Sequence, residues 1–151
     1  MQNSARFCQV LSLLTPLVKV PEWGIGGSLL LAERQLLNDF RDIDLVCSEA
    51  VVMQLDAQLQ RLTTVLPAEA HPHYCSRWFR RYQHDSGLVI ELMAGIQVRN
   101  PQLTRWQFHP ATLEQRHGLP WMRLADWLEL YQLFDRPQRV QLIRAALAVV
   151  P

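Results

Sequence analysis

The stretch from Trp23 to Val46, WGIGGSLLLAERQLLNDFRDIDLV, decides how the chain reads. It opens as a short apolar run ending in Gly26 and Gly27, which predicts a buried strand running into a tight turn. Ser28 stands where a helix N-cap belongs, and SLLLAERQLL carries the helix, apolar nearly all round in its first turn and so expected to be buried there. DIDLVC follows as a strand. Side chains alternate across a strand, so Asp42, Asp44 and Val46 share one face, and Ile43, Leu45 and Cys47 the other. The two carboxylates then project together, about 7 Å apart at their Cα atoms by strand rise. Like charges so placed repel unless a cation neutralises them.

The remainder of the chain sets the frame for that segment. Its 151 residues suffice for one domain with a sizeable core, read as a core over 20–110 with C-terminal helices over 111–151. Hydrophobic residues make up 49% and charged residues 19%, an ordinary globular profile. A formal net charge of +1 gives no broad electrostatic case for nucleic acid or a membrane surface. The basic side is almost all arginine, with Lys19 the only lysine. Arginine suits phosphate recognition. Cys8, Cys47 and Cys75 are odd in number and scattered, which argues against a disulfide framework and for the reducing cytoplasm. No apolar run reaches transmembrane length, and the N-terminal FCQVLSLL reads as a helix rather than a signal peptide.

Phe7, Val10, Leu11, Leu14 and Leu17 fall at helical spacing, limited by Pro16. Ser48 is placed to cap a second amphipathic helix carrying Val52, Leu55, Leu59 and Leu62. SRWFRRYQ and LVIELMAGI read as two strands joined by HDSG, with Val89, Glu91 and Met93 on one face of the second. QVRNPQLTRWQFHP predicts one more edge strand, interrupted by Pro101. The last third reads as helical. Leu124, Trp127, Leu128, Tyr131 and Phe134 form one stripe, Asp135 and Pro137 break it, and Val140, Ile143 and Leu147 point inward from a second helix. The fold class is α/β, with a mixed sheet, flanking helices and a helical C-terminal pair.

Asp42 and Asp44 offer hard oxygen ligands of the kind that Mg²⁺ takes together with phosphate oxygens and water. Glu91 lies in the most hydrophobic strand of the chain, where an unpaired charge is expensive. It reads either as a third metal ligand or as one half of an ion pair with Arg80 or Arg81 across the hairpin. Gly26 and Gly27 let a ligand approach the backbone, Ser28 adds a hydroxyl, and the helix start adds free N–H groups, so the turn reads as a polyphosphate cradle. Arg41 beside the acid pair reads equally as a phosphate ligand or as charge balance. His71, His73 and Cys75 are zinc-ligand types, but Pro72 interrupts them and the spacing fits no common zinc pattern. Trp106 and Trp121, in apparently irregular segments, are candidates to line a substrate cleft.

Gly27-Ser28, a helix, Asp42-Ile43-Asp44 on a strand and Glu91 on a later strand resemble the signature of the nucleotidyltransferase superfamily that includes DNA polymerase β. WGIGGSLLL with RDIDLV looks most like its small bacterial branch, which includes lincosamide nucleotidyltransferases and AbiEii-type toxins. The specific motifs occupy residues 23–46 and 88–96. The resemblance implies metal-dependent transfer of a nucleoside monophosphate from an NTP, such as ATP, to a hydroxyl-bearing acceptor, releasing pyrophosphate. It implies Mg²⁺ or Mn²⁺ on Asp42, Asp44 and Glu91, with Glu91 helping to deprotonate the acceptor. It also implies that Gly27 and Ser28 hold the β- and γ-phosphates, with Gly26 and Arg41 beside them. The acceptor reads as a small molecule, a protein side chain or an RNA end. Association with a membrane is not expected, and a homodimer is an open expectation. Three departures stand out. The C-terminal helix lacks the usual lysine, Arg136-Pro137-Gln138-Arg139 replaces Arg-x-Lys-Asp, and Glu91 stands where Asp is common. They keep a second reading in view, that of a non-catalytic nucleotide-binding or protein-interaction module on the same fold.

Overall fold

Apolar residues recurring every three or four positions form helix α1 (Ser4–Leu14), and Pro16 converts its continuation into a 3₁₀ turn, Thr15–Lys19. These elements belong to a computed structural model that describes residues 4–69 and 74–149. The chain then enters strand β1 (Trp23–Gly26), buried along its whole length. Helix α2 follows at once as Gly27–Glu33. It is shorter than SLLLAERQLL suggests, because Gln35 takes a left-handed φ of 63°. The Leu36 N–H donates to the Leu31 carbonyl at 2.8 Å and the Gln35 N–H to the Ala32 carbonyl at 3.0 Å. That is a Schellman stop built without glycine, so no residue type announces it. Ser28 lies inside the first turn, and the N-cap position falls to Gly26.

Strand β2 (Ile43–Cys47) carries Asp44, with Asp42 in the bend just before it, and helix α3 (Val52–Leu62) returns over the sheet. Ser48 does not cap α3: the N-cap is Val51, with no side-chain bond. The Ser48 carbonyl instead accepts the Val51 N–H at 3.2 Å, in a turn that delays the helix. Strand β3 (Thr64–Val65) is followed by the expected hairpin of β4 (Trp78–Gln83) and β5 (Val89–Ala94). Gly87 supplies the positive φ, 92°, that its turn needs. QVRNPQLTR is two strands rather than one, β6 (Gln97–Arg99) and β7 (Leu103–Arg105), with Pro101 in the turn between them. They pair with each other in a small sheet of their own.

The segment after Pro110 is not helical throughout. Strands β8 (Glu114–Arg116) and β9 (Leu119–Trp121) form a hairpin around His117 and Gly118, both at positive φ (55° and 73°), as a two-residue turn of that kind requires. β9 joins the main sheet parallel to β1, giving the order β3-β4-β5-β2-β1-β9-β8. β2 and β5 are parallel, whereas β1–β2 and β4–β5 are antiparallel, so the sheet is mixed as expected. Helices α4 (Leu124–Leu133) and α5 (Pro137–Ala148) are the C-terminal pair. Val140 and Ile143 are buried, but Leu147 is 46% exposed, because α5 runs past the end of the core. Trp121 is fully buried, and its indole N–H donates to the Arg116 carbonyl at 2.8 Å. It is therefore a core residue of β9 and not a cleft wall. Trp106 is half-buried and donates to Glu129 on α4 at 3.3 Å. Among the described residues no helix is long and apolar enough to cross a membrane.

The start of α4 is fixed by a buried acid. Asp126 accepts the Thr112 hydroxyl at 2.7 Å and two Arg123 donors at 3.0 and 3.2 Å. Burial alone would raise its pKa, but the Arg123 and Thr112 hydrogen bonds outweigh it and hold the carboxyl below the usual aspartate range. A lowered native value gives stability that is present above the unfolded aspartate value, about 3.9, and is lost as pH falls through the native one. Asp126→Asn should therefore cost about 1–2 kcal/mol at neutral pH. The gap from wild type should narrow as pH falls below the usual aspartate range, measured by urea denaturation across pH.

Candidate active site

Strand register brings the site together. Gly26 on β1 pairs with Asp44 on β2, Asp44 with Glu91 on β5, and Glu91 with Arg81 on β4. These four residues make one row across four neighbouring strands, which are spaced about 4.8 Å apart. Residues paired across neighbouring strands share a face, so the Asp44 and Glu91 carboxylates project side by side. Asp42, two residues before Asp44, joins them from the mouth of the strand. All three carboxyl groups lie within hydrogen-bonding and Coulombic reach of one another.

The two glycines serve different neighbours. Gly27 has a φ of 64°, and a Cβ there would overlap Asp44 Oδ2. The Asp44 carboxylate thus lies directly against the turn. At Gly26 a Cβ would overlap the Trp127 ring, so the indole of α4 occupies that space. The Ser28 hydroxyl accepts the Arg41 N–H at 3.0 Å, tying the start of α2 to the approach of β2. The Arg41 carbonyl is in turn held by Arg6 at 3.2 Å, and Arg41 itself is exposed. Gly27→Ala should lower stability by about 1–2 kcal/mol from backbone strain alone. It should also displace Asp44, so that thermal scans and divalent-cation titrations change together, whereas Gly87→Ala, with open space around it, should show only the backbone cost.

The electrostatics follow from the crowding. Asp44 is pushed well above the usual aspartate range, first by burial, then by Glu91 and Asp42, with Arg136 acting against them. Glu91 is raised by burial and then by Asp42, while Arg81 opposes the rise. The cluster therefore resists full ionisation unless positive charge is supplied. Arg81 supplies part of it, with Nη2 at 3.7 Å from Asp42 Oδ2 and Nε at 3.3 Å from Glu91 Oε1. Alternation along β4 settles which arginine does so. Arg80 points to the opposite face, where it meets Asp56 at 2.9 Å.

Among the described residues no three carboxylate, imidazole or thiol groups already stand as a finished cation cage. In this arrangement Asp42 and Glu91 are engaged by Arg81. The donor set nevertheless fits a hard divalent ion. It is all oxygen, it is crowded with like charge, and it sits beside a glycine cradle that a Cβ would fill.

Three further residues border this site. Trp127 and Tyr131 face it from α4, their rings 5.6 Å apart, with Tyr131 close enough to feel the charge on Asp44. Arg136 bears on Asp44 from the turn between α4 and α5. The paired arginines of Arg136-Pro137-Gln138-Arg139 were the available clue. His71 and His73 lie outside the described residues, so that candidate metal set has no structural description.

No family model matches the sequence, and no curated protein does either. Among solved structures, that of a candidate nucleotidyltransferase from Thermotoga maritima is similar over 95% of this chain and 93% of the other, with a TM-score of 0.68 and 20% sequence identity. At that identity the likeness is one of architecture, and the fold of this chain is nucleotidyltransferase-like.

Proposed function

We propose that this protein moves a nucleoside monophosphate from an NTP to a hydroxyl-bearing acceptor and releases pyrophosphate. The observation that carries the reading is the pairing of Asp44 with Glu91 against Gly27, which gathers three carboxylates on one face beside a glycine turn. Asp42, Asp44 and Glu91 would hold Mg²⁺ or Mn²⁺. When bound, such ions neutralise phosphate charge and stabilise the attacking and leaving oxygens of an in-line displacement.

The chain's own groups have distinct tasks. Gly27 and Ser28 present backbone N–H groups at the turn where the β- and γ-phosphates would rest. Arg41 and Arg136 flank the acids from opposite elements and would steady the phosphates. Glu91 would help to take the acceptor's hydroxyl proton. The acceptor oxygen then bonds to the α-phosphorus, the bond from that phosphorus to the bridging oxygen breaks, and pyrophosphate leaves with that electron pair. The three cysteines are all free, which supports a reducing cytoplasmic setting.

The test is incubation with Mg²⁺ or Mn²⁺ and each α-labelled NTP, across small hydroxylated molecules, proteins and RNA ends. Labelled acceptor and pyrophosphate should appear together in equal amounts. NTP binding by calorimetry without any transfer would favour the non-catalytic module. Absence of both would reject the reading.

A further inference from the structure

The acid row ends on a cation that belongs to the chain itself. Arg81 lies directly across from Glu91 and reaches both Glu91 and Asp42. Its contacts differ from those of the other buried ion pairs. Arg116 Nε donates to Glu33 at 2.9 Å, Arg80 donates to Asp56 at 2.9 Å and Arg123 donates to Asp126 at 3.0 Å. Those distances are typical of charge-assisted hydrogen bonds. Arg81 stands at 3.3 and 3.7 Å, and its Nε is buried with no hydrogen-bond partner. It is held by charge rather than by directed bonds. About a third of its side chain is exposed, so it has room to leave.

We propose that Arg81 is a built-in counter-ion that occupies the cation's place between Asp42 and Glu91 and must swing aside before a divalent ion can bind. This rests on the metal-site reading above. The physical argument is competition. Two carboxylates facing one guanidinium lose that partner when a divalent ion takes their oxygens, so every binding event must break the clasp. The clasp keeps the ion-free cluster from repelling itself apart, and it sets the affinity for metal below what three carboxylates would otherwise give.

The experiment is calorimetric titration of Mn²⁺ into the full chain without nucleotide, for wild type, Arg81→Gln and Arg81→Lys. Arg81→Gln should bind Mn²⁺ at least about tenfold more tightly, because a unit charge beside carboxylates near the surface outweighs that factor. Arg81→Lys retains charge but cannot fork across two carboxylates, so it should show a smaller gain in the same direction. If the glutamine variant fails to fold, the lysine variant decides. Equal or weaker binding by the folded variant, with wild type still binding, overturns the counter-ion role and leaves the metal site standing. No Mn²⁺ binding by any of the proteins overturns the metal site and the counter-ion role together.

Discussion

Asp44→Asn should abolish nucleotidyl transfer, with a loss of at least about 10³-fold, in the range seen when a central charge-stabilising group is removed. Asp44 is the residue on which the site converges: it pairs with Glu91, rests on Gly27 and lies two residues from Asp42. Asparagine keeps the shape and one oxygen but removes the charge. The same substitution should stabilise the metal-free fold at neutral pH. A carboxyl whose native pKa is raised contributes most at low pH, and that contribution is lost as pH rises from the unfolded to the native value. Above that window wild type carries the cost of crowded carboxylates, and the variant does not. Thermal scans in chelator should show a higher Tm for Asp44→Asn, while labelled transfer falls to background. Transfer within about tenfold of wild type would remove Asp44 from the catalytic machinery.

Asp56→Ala should give the largest loss of stability, about 3–5 kcal/mol, because it strips one partner from a buried charged network. Asp56 is only 4% exposed. It accepts the Tyr82 hydroxyl at 2.6 Å, Arg80 at 2.9 Å and Gln60 at 2.6 Å, pinning α3 to β4. Tyr82 is fully buried, so without Asp56 its hydroxyl has nowhere to turn. Burial, followed by the bond to Asp56, already pushes that hydroxyl's pKa well up. For a chain of this length the melting temperature should drop by roughly 10 °C or more. Asp56→Asn, which keeps an acceptor, should lose less. A drop below about 1 kcal/mol for the alanine variant would show that the network rearranges without it.

The similarity to the Thermotoga maritima structure covers nearly the whole of both chains at 20% identity. The two chains thus share a fold although most of their side chains differ. Residues that differ from the expected pattern, such as Glu91 and the Arg136–Arg139 pair, have to be judged by their position in this chain. Glu91 lies across from Asp44 on the neighbouring strand. Arg136 bears on Asp44 although the expected lysine motif is missing.

What the sequence by itself determined was local. Two-residue alternation set Asp44 with Val46 on one face of β2, with Asp42 just ahead of it, and it put Val89, Glu91 and Met93 on one face of β5. The glycine turn after β1, the Asp-Ser-Gly hairpin and the two C-terminal helices follow from residue types at short range. It did not reveal where α2 ends, because Gln35 takes a conformation usually left to glycine. Nor did it reveal β8 and β9, three-residue strands too short to show a period. The tertiary structure alone decided that β2 lies parallel to β5 with Asp44 opposite Glu91, and that Arg81 rather than Arg80 meets the acids. Alternation is a property of one strand's own geometry. Pairing between strands far apart in sequence is chosen by burial of both sheet faces, to which the whole core contributes.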